Sequence, residues 1–116
     1  MVLSYTTSPA YHAVAENDGK YAYAPFTEGF VPQVEVAGLL KTAKQVELGK
    51  AFLAYLVTAE AQKVIPTTNW MYPVIDIGDD LPAAFGRPPE KVLPIDEAAL
   101  AANGRAWVDA ALAALQ

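Results

Sequence analysis

Two proline-bounded aromatic clusters limit what this chain can fold into more than any other feature. The first is Ser4-Tyr5-Thr6-Thr7-Ser8-Pro9-Ala10-Tyr11-His12, near the start, and the second is Pro66-Thr67-Thr68-Asn69-Trp70-Met71-Tyr72-Pro73, past the middle. Proline fixes its own φ, and short polar side chains close turns on the neighbouring backbone, so these rings are held on turns and not along a helix face. Binding residues concentrate on loops held by a rigid scaffold, and the clusters read as two walls of one pocket. On residue types alone, burial of the same rings in a core is an equal alternative.

Composition narrows the field mainly by exclusion. At 116 residues the chain fits one domain, and a folded chain of this size is expected to bury roughly two-thirds of the surface it exposes when unfolded. A hydrophobic fraction of 53% with 18% charged residues argues against disorder, and no apolar run approaches the ~20 residues of a bilayer-spanning helix. The net charge of −5, with eight Lys and Arg scattered from Lys20 to Arg105, disfavours a nucleic-acid surface, which needs clustered basic residues. The absence of cysteine removes disulfides, thiolate metal sites and cysteine nucleophiles together. Met1-Val2-Leu3 runs straight into Ser4-Tyr5 without a basic or extended apolar region, so this start is not expected to act as a secretory signal.

Along the chain, strand and helix patterns alternate without a repeat. Val2 to Thr6 reads as a short strand, Ser8 as an N-cap with Pro9 at the first helical position, and the helix is expected to stop near Ala15 or Glu16 at the turn Asn17-Asp18-Gly19. Tyr21 to Ala24 reads as a short extended piece. Val31 to Leu40 is the best strand, because Val34 and Val36 alternate with Gln33 and Glu35, and Pro32 places its start near a sheet edge. Thr42-Ala43-Lys44-Gln45 matches a capping box, after which Leu48, Phe52 and Leu56, widened by Leu53 and Tyr55, predict a core-facing helix. Thr58 is expected to cap a short helix running to about Val64 and ended by Pro66, which delivers the Trp70 loop. Gly78 to Pro94 reads as a surface connection. Asp96 is expected to cap a last helix whose packing face is Leu100, Trp107, Val108, Ala111, Leu112 and Leu115.

Three blocks, Val2 to His12, Gln33-Val34-Glu35-Val36-Ala37 and Asn69-Trp70-Met71-Tyr72-Pro73, resemble in order and spacing the C-terminal part of bacterial thiamine-binding periplasmic proteins, the substrate-capturing components of ABC importers. The likeness runs from Met1 to about Pro73 and continues more loosely through the last helix. Family members are roughly three times longer and carry a secretory signal. The resemblance implies an α/β fold, a fragment of the type II periplasmic-binding-protein architecture with ligand held between two lobes. Residues 1–30 would then belong to the inter-lobe or second-lobe segment, and residues 31–116 to a hinge strand and the C-terminal segment of the first lobe. It also implies a periplasmic location, thiamine or its phosphates as ligand, an ABC permease as partner and no further cofactor. Tyr5, Tyr11 and Trp70 match positions that line the family's ligand cleft, with Thr6, Asn69 and Tyr72 as neighbours. If strands of a larger sheet end unpaired, a homodimer is expected.

The chemistry suits such a ligand. Thiamine offers a flat aminopyrimidine for stacking and a thiazolium with a fixed positive charge, which an aromatic face attracts by roughly 0.5 to 2 kcal/mol per contact. A structural, self-associating fragment without ligand binding is one alternative, and ferric-iron capture by the same fold is the other, with Tyr5 and Tyr11 as ligands and His12 or Glu16 nearby. It lacks the adjacent tyrosines usual in iron-binding relatives. Catalysis has little support: His12 is the sole histidine, no nucleophile elbow is present, and the Asp79-Asp80 pair has no third ligand beside it.

Overall fold

The structure, a computed structural model, describes residues 2–114, so Met1 and the expected face residue Leu115 lie outside the described residues. Five α-helices follow in order: α1 (Ser8–Ala15), α2 (Val46–Leu56), α3 (Ala59–Gln62), α4 (Ile65–Thr68) and α5 (Glu97–Ala114). Two 3₁₀ turns, Gly78–Asp80 and Ala83–Phe85, lie between α4 and α5.

The helical expectations hold best where the signal is local. Helix α1 starts one residue earlier than the Ser8 cap implies: Thr7 is the N-cap residue, its carbonyl accepts from the amides of Ala10 (3.0 Å) and Tyr11 (3.3 Å), and Pro9 falls in the first turn. The helix ends as expected, with Asn17 in the left-handed region at φ 53° and the Asp18 amide donating back to the His12 carbonyl at 2.9 Å. Asparagine tolerates that conformation better than most residues. Thr58 caps α3 by accepting from the Ala61 amide at 3.4 Å, and the Asp96 carboxylate caps α5 by accepting from the Ala99 amide at 2.9 Å. Pro66 does not end a helix; it lies in the first turn of α4, where a missing N–H costs nothing. The capping box at Thr42 is not used. The chain turns there, with the Ala43 amide on the Leu40 carbonyl, and α2 begins at Val46 without a side-chain cap.

Among the described residues there is no β-strand, only an isolated parallel bridge between Phe30 and Val92, so the strands expected of an α/β fold are not seen there. Residues 2–5 and 31–39 are extended or irregular, and no backbone hydrogen bond among the described residues ties 31–39 to another segment. A strand is defined by its ladder, and alternation of Val34 and Val36 with Gln33 and Glu35 cannot supply the neighbour. Residues 21–24 are likewise irregular. The bridge itself depends on Gly29, whose φ is +116° and where a Cβ would stand 3.0 Å from the Lys91 carbonyl oxygen.

Burial is correspondingly sparse. The accessible surface is 9515 Å², against roughly 6,100 Å² for a compact chain of this mass and about 18,000 Å² for the unfolded one. Folding thus removes about half of the surface and not the expected two-thirds. The radius of gyration is 17.7 Å where about 13 Å is usual. The buried residues among those described are Ala10, Gly29, Ala61, Ile77, Phe85, Thr7, Gln62 and the fully enclosed Pro66. The apolar face of α2 is not core-facing, with Leu48 68% and Phe52 56% exposed, and the α5 face at Leu100, Trp107, Val108 and Leu112 is about half exposed. No helix of the described residues is long and apolar enough to cross a membrane.

Candidate functional site

The two aromatic clusters meet. Helix α1 carries Tyr11 one turn beyond its Thr7 cap, and α4 ends at Asn69, whose amide donates to the Ile65 carbonyl at 2.9 Å, so Trp70 emerges directly from a helix end. The edge of one ring meets the face of the other, with Tyr11 and Trp70 centroids 5.0 Å apart and planes at 87°. Trp70 has φ +56°, a left-handed conformation that costs of order 1–3 kcal/mol in a bulky residue and recurs at functional sites.

Phe85 completes the cluster. Its ring lies parallel to Trp70, offset at 6.4 Å, and Tyr72 meets it edge-on at 5.5 Å while donating its hydroxyl to the Phe85 carbonyl at 2.8 Å. Partial burial raises the Tyr72 phenol pKa above the ordinary value. The stretch from Gly78 to Pro94 is therefore no mere surface connection, since the 3₁₀ turn Ala83–Phe85 packs on α1 and buries Phe85 to 4% exposure. Proline and glycine density hid this residue; the one available signal was a large aromatic between Pro82 and Gly86.

Gln62 fixes the Trp70 loop from behind. Its buried amide donates to the Leu56 carbonyl at 2.7 Å and accepts from the Val74 amide at 2.8 Å. Gln33, Val34, Glu35, Gln62, Ile65, Asn69, Met71, Tyr72 and Val74 line an open groove of about 280 Å³ beside the loop. Asn69 donates to the Glu35 carboxylate there at 3.4 Å.

Of the sequence-predicted residues, Tyr11, Trp70 and Tyr72 are brought into one cluster, and Asn69 lies beside it on the groove face. Tyr5 is 62% exposed and makes none of the ring contacts among the described residues, although its carbonyl accepts from the Ser8 amide at 3.0 Å. Thr6 sits half-buried in the turn before α1. His12 packs against rings: it stacks on Tyr21 at 4.0 Å and touches Tyr11 at 5.2 Å, with Nδ1 2.6 Å from the Glu16 carboxylate. Trp107, expected to pack, stands half exposed and has no ring partner among the described residues. No three His, Asp or Glu side chains among the described residues converge as metal ligands would. The arrangement offers faces and edges of aromatic rings, with one carboxylate on each side of the cluster, Glu16 and Glu35.

No family model matches the chain. Its fold superposes on 34% of a solved periplasmic thiamin binding protein with a TM-score of 0.79, at 46% identity and covering 93% of this chain. In its described part, then, the chain has the fold of a portion of a periplasmic solute-binding protein. The thiamine-binding periplasmic protein of Escherichia coli K12 is 46% identical over 110 residues, 93% of this chain and 33% of the relative. That of Brucella melitensis is 46% identical over 116 residues, 98% of this chain and 35% of the relative. The chain is a homologue of the thiamine-binding periplasmic proteins over nearly all of its length, and it spans about one third of the length of the curated relatives it matches.

Proposed function

We propose that this chain carries one part of a thiamine-binding site, in which Tyr11 and Trp70 receive the ligand and Tyr5, Tyr72, Asn69 and Thr6 border it. The observation that carries this reading is the contact of Tyr11 with Trp70 at 5.0 Å, made by two distant segments that the sequence singles out for aromatic rings. An edge-to-face pair leaves ring surface free for a flat cation, and the quaternary thiazolium nitrogen has no proton to lose near neutral pH, so rings hold it without the desolvation cost of burying a carboxylate beside it. The names borne by the relatives agree in ligand.

In the whole protein, residues 1–30 and 31–116 would contribute to different parts of a two-lobed type II binding protein. Closure of the lobes over thiamine or a thiamine phosphate in the periplasm would present the loaded protein to an ABC permease. Residues 31–40, extended but unpaired here, would then be the hinge strand, which finds its ladder in the rest of the fold. The work is capture and release, not catalysis.

A handful of ring contacts does not offset the entropic cost of capturing a small ligand, so this chain by itself is expected to bind thiamine more weakly than about 1 μM. Calorimetry on the 116-residue chain tests this: weak binding abolished by Tyr11→Ala supports the reading, whereas undiminished binding by Tyr11→Ala removes it. The exposed α2 and α5 faces favour a second property of the chain studied alone, self-association that covers Leu48, Phe52, Trp107 and Leu112. Light scattering that stays at the monomer mass up to millimolar concentration would contradict that.

A further inference from the structure

The aromatic cluster does not end at Tyr11. His12 lies edge-on to Tyr11 at 5.2 Å and stacks on Tyr21 at 4.0 Å with planes 28° apart, and Lys20 places its Nζ 5.0 Å from the Tyr21 centroid. Rings thus run without a break from Tyr21 through His12, Tyr11 and Trp70 to Phe85. One carboxylate holds the near end of this row. Glu16 Oε2 is 2.6 Å from His12 Nδ1, one helical turn away. An ionised carboxylate only accepts, so Nδ1–H donates and the tautomer of His12 is fixed.

The backbone geometry marks the pair as more than a surface contact. The backbone that carries it is locked, because the His12 carbonyl accepts from the amides of both Glu16 (3.2 Å) and Asp18 (2.9 Å), which forces Asn17 to φ 53°. Hydrogen bonding to Glu16 and its negative charge raise the Tyr11 phenol pKa, and bonding to His12 in turn lowers that of Glu16.

We propose that Glu16, acting through His12, is the positioning residue of the Tyr11–Trp70 site and sets its response to pH for a cationic ligand. The proposal rests on the thiamine reading for its ligand and on the ring geometry for its mechanism. With His12 neutral, the Glu16 charge beside Tyr11 is uncompensated and favours a cation on the ring. With His12 protonated, the ion pair cancels that charge. The other groups facing His12 are Asp18, paired with Lys20 at 2.6 Å, and the rings of Tyr11 and Tyr21, while the turn Ala83–Phe85 packed on α1 has no titratable side chain. Histidine ordinarily changes charge between pH 5 and 8, so a cationic ligand binds more tightly at the upper end. At the distance of a ligand on Tyr11 the expected effect is about threefold to tenfold in affinity.

The test compares the wild-type chain with Glu16→Gln and His12→Gln. Thiamine is titrated at pH 5.5 and 7.5, and ring-to-ring nuclear Overhauser effects are recorded without ligand, where the sole histidine gives unambiguous signals. Expected are a threefold to tenfold affinity ratio between the two pH values in the wild type, a ratio near one in His12→Gln, and weakened Tyr11–Trp70 and His12–Tyr21 effects in Glu16→Gln. An equal pH ratio in wild type and His12→Gln overturns the proposal. If the wild type binds no thiamine at either pH, the ligand assignment fails by itself, and the ligand-free spectra decide the positioning role: unchanged ring contacts in Glu16→Gln overturn it, and loosened ones support it.

Discussion

The knot around Trp70 and the helices α2 and α5 draw on the same kinds of residue and end in opposite states. In the knot, short elements at residues 59–85 and the start of α1 bury Phe85, Pro66, Gln62 and Ala10 with every buried side-chain polar atom paired. Helices α2 and α5 are longer, yet Phe52, Trp107 and Leu112 remain more than half exposed. An amphipathic stripe states that a helix will pack but not against what. The knot is closed because its partners lie within this chain. The two helices are open because residues 2–114 offer them little to pack against.

That contrast makes mutational effects unequal in a way that contact-free propensity would not. The largest effect is expected at Phe85. Replacing it with Ala removes a ring 4% exposed and should lower unfolding stability by about 3–5 kcal/mol, while Phe52→Ala should cost less than about 1 kcal/mol in the monomer. Urea denaturation followed by circular dichroism reads both, and equal losses would erase the distinction between the regions. Next is Gln62→Leu, which strands the Leu56 carbonyl and the Val74 amide and should cost about 1–3 kcal/mol.

Smaller effects sharpen the same comparison. Tyr72→Phe deletes the hydroxyl that donates to the Phe85 carbonyl and should cost about 1 kcal/mol, with its near-ultraviolet signature confined to the knot. The Tyr72 pKa is raised on folding, so its contribution is complete below the ordinary value of 10.0 and is lost as pH rises through the folded value. Stability should therefore fall as pH rises through the folded Tyr72 value, and Tyr72→Phe should make that fall shallower. Smallest is the Glu16 effect. Its folded pKa is lowered, chiefly by His12, so the pair's stabilisation is present above the ordinary value of 4.5 and is lost as pH falls through the folded one. Loosening of the α1 end in acid should be absent in Glu16→Gln, as amide exchange at Asp18 would report.

The features legible in the sequence were those whose partners lie within a few residues. Thr58 and Asp96 announce their helices because the caps they form reach three residues ahead, and Asn17 announces a stop because it accepts positive φ. Val34 and Val36 carry a sound strand pattern that goes unrealised, because a ladder needs a neighbour no local pattern can name. The meeting of Tyr11 and Trp70 was anticipated from two proline-bounded aromatic clusters, although Tyr11 rides on helix α1 and not on a turn, whereas Phe85 was not, since its role depends on a 3₁₀ turn folding back onto α1. The left-handed turn at Trp70 has no local signal at all, as tryptophan is among the residues that avoid it.

The most direct test of the central claim, that Trp70 with Tyr11 receives the ligand, uses the chain carrying Trp107→Phe, so that Trp70 alone emits. Thiamine is added and fluorescence followed to saturation. The account expects saturable quenching with a midpoint above about 1 μM that disappears when Tyr11 is replaced by Ala. An emission unchanged by millimolar thiamine, or quenched identically without Tyr11, would contradict it.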